Sequence, residues 1–306
     1  MTTPFSRLLE STALGEAQAN FLVAGQKIRV IAAAPLLKIC TEALSHLPNF
    51  SGSPELQIYV RQTLPNFSSS DISCVQNLDY YQNQSCQLLE LSFGTALFQR
   101  QTALLTHQQC APLLQLFRLW LEQQNITLLH GAAIGDSRGA ALLVGRGGSG
   151  KSTTSLLALQ AGMGFLGDDY CAVSLTPSAT VFSLYSSAKF HLNNTVRPDF
   201  LSPRVNPDRE KGFVMLAAKH QAQLQVQASL KAILLPTIGG NLGFETISPQ
   251  TALLSLAPST LFQLRSTKTA FAQMSALVKV LPCYRFYLGA DPSHIAPALK
   301  ALLQTL

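Results

Sequence analysis

Residues 142–153 read Leu-Leu-Val-Gly-Arg-Gly-Gly-Ser-Gly-Lys-Ser-Thr: an apolar run, a glycine-rich loop and the start of a helix. No other stretch narrows the fold so far. The loop fits G-x-x-x-x-G-K-[ST], and its fixed positions, Gly145, Gly150, Lys151 and Ser152, coincide by chance in roughly 1% of chains this long at average residue usage. The context fits as well. Ala140–Val144 is apolar and strand-like, and Ser152–Ala161 is a helix former that stops at Gly162. Glycines at 145, 147, 148 and 150 let successive backbone N–H groups turn toward one anion, and the helix N-terminus adds unpaired donors and a positive dipole end. Gly145, Arg146, Gly147, Gly148, Ser149, Gly150, Lys151, Ser152 and Thr153 are therefore the expected ATP-binding segment. Lys151 would reach the β- and γ-phosphates, and the Ser152 hydroxyl would bind Mg²⁺. The alternative is a tight strand-to-helix turn that binds nothing.

A chain of 306 residues with 47% hydrophobic and 12% charged residues can bury one large or two ordinary domains and is not a disordered polymer. The formal net charge of +6 is spread without a dense Lys/Arg cluster or aromatic–basic interleaving, which suits an anionic ligand such as ATP and argues against nucleic acid as a partner. The six cysteines form no C-x-x-C pair and no zinc-type spacing with His, so buried, reduced thiols are expected. No basic-then-apolar leader and no run of about 18 apolar residues occurs, so no membrane partner and a cytoplasmic location are expected.

The periodicity predicts an α/β protein. In the first part it predicts a helix within 5–22, strands at 26–33 and 56–61, a helix at 36–47, a polar loop at 67–84, a hairpin of 87–93 and 96–105 turning at Gly94-Thr95, and a helix at 107–124. Trp120 falls on the apolar stripe of that last helix and reads as packing. The predicted domain boundary follows it, giving a smaller α+β domain over 1–124 and a second domain over 125–306. In the second, strands are predicted at 126–134, 140–144, 164–166, 170–175, 180–184, 230–235 and 283–288. Two helices broken at Ala257-Pro258 are predicted across 249–281, and a last helix is capped by Asp291-Pro292.

Two further signals flank the loop. Phe165-Leu166-Gly167-Asp168-Asp169-Tyr170 follows the loop's helix, and on an extended backbone two adjacent acids point opposite ways, one toward a metal and one toward an attacking hydroxyl. A surface Asp-Asp turn is the alternative. His130-Gly131 ends the strand before the loop strand, where a lone histidine is either structural or catalytic.

Taken in order, His130-Gly131, Gly145-x-x-Gly148-x-Gly150-Lys151-Ser152 and Asp168-Asp169 resemble the nucleotide core of the HPr serine kinase/phosphorylase family, itself similar to phosphoenolpyruvate carboxykinases. The resemblance covers about 126–190, with a weaker extension through Ser183–Lys189. It implies a P-loop kinase core of that type and ATP- and Mg²⁺-dependent phosphorylation of a serine hydroxyl on a protein or peptide. Lys151 would hold phosphates, Ser152 and Asp169 would bind the metal, Asp168 would be the general base, and His130 would stand beside Asp168 or the transferring phosphate. Residues 193–206, NNTVRPDFLSPRVN, lack the glutamate of the bifunctional members, so neither phosphorylase activity nor HPr as substrate is carried over. A small-molecule kinase and a nucleotide-binding regulatory module without transfer remain as rivals, and a homo-oligomer stays open. Arg146, Arg197, Arg204, Arg209 and Lys211 are candidate extra cations, and the polar segment 193–211 is expected to close over the phosphates or the acceptor.

Overall fold

The computed structural model describes residues 16–61, 86–91, 94–100, 109–194, 196, 198, 204–205, 211–264 and 267–306. The chain is a mixed α/β protein that divides into two compact units, residues 1–113 and 114–306. The expected boundary at 124 falls eleven residues later in the chain, after the helix that opens the second unit.

The first unit carries strands β1 (Glu16–Val23), β2 (Gln26–Ala33), β3 (Leu56–Arg61), β4 (Cys86–Leu91) and β5 (Gly94–Arg100), ordered β1-β2-β3-β5-β4. Helix α1 (Ala34–Thr41) joins β2 to β3, which run parallel. The helix expected within 5–22 is corrected over 16–22. Those residues pair with β2 along the whole of β1, because Ala24 and Gly25, at φ 51° and 81°, make a two-residue turn with both central residues left-handed. Gln26–Ala33 and Leu56–Arg61 are strands as expected. β4 and β5 pair antiparallel as the expected hairpin requires, but the turn expected at Gly94-Thr95 is corrected: both residues belong to β5, where Gly94 pairs with Leu91 and Thr95 with Glu90. The polar loop expected at 67–84 lies outside the described residues.

The second unit begins with α2 (Leu114–Gln123), whose stripe of Leu116, Phe117, Trp120 and Leu121 is buried, as the periodicity requires. A nine-stranded sheet then contains β6 (Thr127–His130), β7 (Ala132–Asp136), β8 (Gly139–Leu143), β9 (Gly164–Gly167), β10 (Tyr170–Ser174), β11 (Thr180–Phe182), β15 (Gln227–Thr237), β16 (Gly239–Thr246) and β17 (Cys283–Gly289). At its centre β8 and β17 both run parallel to β15. A separate three-stranded sheet has the order β12 (Ser187–His191), β14 (Lys211–Met215), β13 (Arg204–Val205).

Helices cover both faces of the central strands, and alternation along β8 shows how. Ala140, Leu142 and Val144 pack with Ala252 and Leu256 of α4 (Pro249–Leu264) and Met274 and Leu277 of α5 (Lys268–Val280). Ala141 and Leu143 pack with Ala158 of α3 (Lys151–Gln160) and with Ile295 and Leu299 of α6 (Ile295–Thr305). Burying both faces explains why the central strands read as continuous apolar runs.

Two expectations need correction here. The 126–134 strand is broken at Gly131, so β6 pairs with β10 while β7 pairs with β8 and β9. A Cβ at Gly131 would stand 2.8 Å from the Leu143 carbonyl oxygen, a backbone contact only glycine permits. The helix break expected at Ala257-Pro258 does not occur. Pro258 lies inside α4, held by the buried residues Ala252, Leu256, Ala257, Thr260 and Leu264. The proline's missing N–H and ring clash are outweighed by that packing. The Asp291 cap is as expected, its carboxylate accepting from the Ser293 N–H at 2.9 Å.

Candidate functional site

The glycine loop connects the end of β8 to α3 over 144–150. Gly145, Gly148 and Gly150 have φ of 137°, 81° and 102°, so the turn is built in the left-handed region. Gly150 is the tightest of these positions: a Cβ there would meet the Leu288 Cδ1 at 2.7 Å. Arg146, Gly147 and Gly148 are exposed. Lys151 points back into the loop, its Nζ donating to the carbonyl oxygens of Gly145 at 2.8 Å and Arg146 at 3.1 Å. Burial pushes its pKa down, against the pull of Asp168 and Asp169 upward. Ser149 Oγ is buried without a hydrogen-bond partner. Thr153 Oγ1 accepts from Asn194 Nδ2 at 3.0 Å, which ties the helix to the turn after β12.

Asp168 and Asp169 occupy a bend between β9 and β10. The backbone is not extended there, as the sequence reading assumed: Asp169 has φ 66°, a left-handed conformation that Asp tolerates better than most residues. The turn still sends the two carboxylates to different surroundings. Asp168 is 3% exposed. Its Oδ2 accepts the Lys189 backbone N–H at 3.0 Å, and its Oδ1 is buried with no partner. Burial, then the neighbouring Asp169 charge, raises its pKa to about 7, against the Lys189 N–H and the nearby Ser152 hydroxyl, which favour the ionised form. Asp169 is the more accessible of the two, its side chain 23% exposed, and its Oδ2 lies 2.7 Å from Lys189 Nζ. Burial would raise its pKa too, but the Lys189 ammonium holds it below the usual carboxylate range, helped by His130 and Lys211.

His130 ends β6 with its Nε2 3.9 Å from Asp169 Oδ1, beyond hydrogen-bonding distance. Its backbone N–H donates to Thr260 Oγ1 of α4 at 3.0 Å, and Gly131 N–H donates to the Asp169 carbonyl at 3.0 Å. Burial, then the Lys151 charge, lowers the imidazole to about 4, so it is neutral at physiological pH. Its Nδ1 is buried without a partner. Tyr170 stands edge-on to His130 at 5.9 Å between centroids, and its hydroxyl donates to Gln263 Oε1 at 3.1 Å.

Lys151, Ser152, Asp168, Asp169 and His130 thus form one cluster, joined by the electrostatic and hydrogen-bond contacts above. Among the described residues no group of three or more His, Cys, Asp or Glu could hold a metal by itself. Mg²⁺ does not need one: it usually takes one or two carboxylates and completes its shell with phosphate oxygens and water. The orphaned Asp168 Oδ1, with the Ser152 hydroxyl beside that carboxylate, fits such a sparse all-oxygen set.

Lys189 is the residue to which the sequence assigned no role, although it closes the weaker stretch of resemblance, Ser183–Lys189. Its signal lay in position: a cation in the middle of the strand after Ser183–Ser186, which β12 brings against the Asp-Asp bend. Of the candidate cations, Lys211 pairs opposite His191 on β14 and its charge reaches Lys151, His130 and Asp169. Arg146 is exposed. Arg197, Arg209, the Arg204 side chain and most of segment 193–211 lie outside the described residues. Cys40, Cys110, Cys171 and Cys283 are buried free thiols, and no described helix is long and apolar enough to cross a membrane.

No protein-family model matches the chain, and no curated protein matches it. Among solved structures, the chain is similar to the HPr(Ser) kinase/phosphatase from Coxiella burnetii at a TM-score of 0.35 and 8% identity, over 58% of this chain and 95% of that one.

Proposed function

We propose that this protein is an ATP- and Mg²⁺-dependent phosphotransferase whose acceptor is a serine hydroxyl of a protein or peptide, acting in the cytoplasm. The observation that carries the reading is the cluster itself: a glycine loop and helix N-terminus, a lysine and a serine in the first helical turn, and two carboxylates of opposite character beside them. Phosphoryl transfer asks little covalent chemistry of a protein. It asks for oriented N–H groups, cations on the phosphate oxygens and a group to receive the acceptor proton late in the transfer. The loop of Gly145–Thr153 would cradle the phosphates as a P-loop, and Lys151 would exchange its two carbonyl contacts for phosphate oxygens. Ser152 and one carboxylate of the acid pair would hold Mg²⁺, which would supply positive charge against the phosphate oxygens. The acid pair supplies one carboxylate for the metal beside Ser152 and one for the hydroxyl proton, and neutral His130 borders the second. The order of His130, the loop and Asp168-Asp169 along the chain supports the same reading through its resemblance to HPr kinases.

The test is transfer itself. Purified protein with Mg²⁺ and γ-labelled ATP is incubated with a library of serine-containing peptides, and labelled peptides are identified by mass. Label on serine that disappears with Lys151→Ala supports the reading. Tight Mg²⁺-ATP binding without transfer to any peptide or small hydroxyl compound favours the regulatory-module rival.

A further inference from the structure

We infer that the adjacent carboxylates divide their work in the order opposite to the family-based expectation: Asp168, with Ser152, holds the divalent cation, and Asp169, clamped by Lys189, receives the proton of the acceptor hydroxyl. The inference rests on the phosphotransferase reading above and deepens it. Three observations carry it.

The first is accessibility. An acceptor that is part of a peptide must bring a hydroxyl-bearing side chain to the base. Asp168 is 3% exposed and walled in, whereas the Asp169 side chain is 23% exposed. The second is unmet coordination. Asp168 Oδ1 is a buried carboxylate oxygen with no donor, a costly arrangement that a cation would relieve. Ser152, in the first turn of α3, has its hydroxyl beside that same carboxylate.

The third is that Asp169 already has its cation. Lys189 Nζ sits 2.7 Å from Asp169 Oδ2, so a divalent ion at that oxygen would have to expel the ammonium or stand against it. The same lysine donates its backbone N–H to Asp168 Oδ2 at 3.0 Å. One residue of β12 therefore fixes both carboxylates, by main chain on one side and by side chain on the other. With Oδ2 occupied, Asp169 Oδ1 is the free proton acceptor, facing His130 Nε2 across 3.9 Å. In the transfer, the acceptor oxygen forms its bond to the γ-phosphorus. The bond from that phosphorus to the β,γ-bridging oxygen breaks, and its electron pair leaves with ADP. The hydroxyl proton passes to Asp169 Oδ1. Lys189 is a positioning residue in this scheme.

Mn²⁺ binding in the presence of a non-hydrolysable ATP analogue, followed by the electron paramagnetic resonance signal of free Mn²⁺, reads the metal half without relying on turnover. Asp168→Asn should weaken Mn²⁺ binding tenfold or more, and Asp169→Asn should leave it within about twofold. Ser152→Ala, a smaller change in a less buried residue, should weaken it in the same direction and guards against misfolding of the Asp168 variant. At saturating Mn²⁺ and ATP, Asp169→Asn should slow transfer by about 10²–10⁴-fold, as expected for a lost proton acceptor. Lys189→Arg should retain more transfer than Lys189→Met at unchanged Mn²⁺ affinity. If Asp169→Asn loses Mn²⁺ while Asp168→Asn keeps it, the family order stands and the inference is overturned. If the wild type binds the Mn²⁺-nucleotide but transfers nothing, the phosphotransferase reading fails with the proton-acceptor half, while the metal assignment is still decided by the binding data.

Discussion

Asp168→Asn should make the second unit more stable at alkaline pH and not at acid pH. Asp168 is a buried carboxylate whose pKa rises from an ordinary 3.8 to about 7 in the folded chain. The sign follows from proton linkage. A group whose folded pKa lies above its unfolded value contributes stability that is complete below 3.8 and is lost as pH rises through 7. At about 1.4 kcal/mol for each tenfold change, the loss approaches 4 kcal/mol as an upper bound. An asparagine carries no charge at any of these pH values and escapes that loss. It also weakens the acceptance of the Lys189 N–H, a pH-independent cost of about 1 kcal/mol. The variant should therefore be slightly less stable than wild type below about pH 4, already level with it or ahead at pH 5, and more stable by about 3 kcal/mol at pH 8.5. Trp120 is the chain's one tryptophan and is buried on α2 in the second unit, so its fluorescence during urea unfolding reports that unit. The two proteins are unfolded in chelator at a series of pH values, and their difference is plotted against pH. A difference that stays flat from pH 5 to 8.5 would refute the reasoning, because Asp168 would then ionise in the folded state as easily as in water. Excess Mg²⁺ should shrink the alkaline advantage by stabilising only the wild type.

Lys151→Ala should leave the unfolding transition in place and lower Mg²⁺-ATP affinity at least tenfold in a calorimetric titration; equal affinity would make the loop a structural turn. Gly150→Ala combines φ of 102° with a contact at 2.7 Å to a movable leucine tip, so the backbone strain dominates. It should cost about 1–3 kcal/mol in urea unfolding, and Leu288→Ala should restore little of it. His130, lowered to about 4 by burial, binds its proton more readily unfolded, so its contribution is lost as pH falls from 6.5 toward 4. That slope opposes the one from Asp168, and it appears only as a difference: His130→Gln should remove an acid-side loss of up to about 3 kcal/mol relative to wild type, and no change in slope would count against a neutral buried imidazole.

What could be read in the chain depended on whether the determining contact was local. The glycine loop is written by neighbours in sequence, and the Gly150 conformation, the α3 boundaries and the Gly162 stop all follow from residues within one turn. The stripe of α2 and the Asp291 cap are local too. The errors have the opposite character. Glu16–Val23 has no clean strand alternation; it is a strand because the Ala24-Gly25 turn folds it onto β2, and Ala is a weak signal for a left-handed turn residue. Pro258 marked a break by local rules, yet a buried helix face against β6 and β15 overrode it. The acid pair was legible as a pair, but the identity of each carboxylate's neighbours was not. Lys189 lies twenty positions beyond Asp169, and the sequence does not show that β12 would bring its ammonium onto that oxygen.

The Lys151 ammonium, seated on the carbonyl oxygens of Gly145 and Arg146, gives the loop an internal ligand of its own. A nucleotide entering such a loop competes with two intramolecular contacts, so its net gain is the excess of phosphate over carbonyl as a partner for the same cation. Neutral or singly charged oxygens offer almost no excess, and a polyphosphate offers a large one. Under the proposed reading, the folded-back lysine would act as a threshold against weak anions: inorganic phosphate and simple carboxylates should be passed over, while triphosphate tails should displace it. The loop also keeps its shape without a ligand, because its buried charge already has two oxygen neighbours.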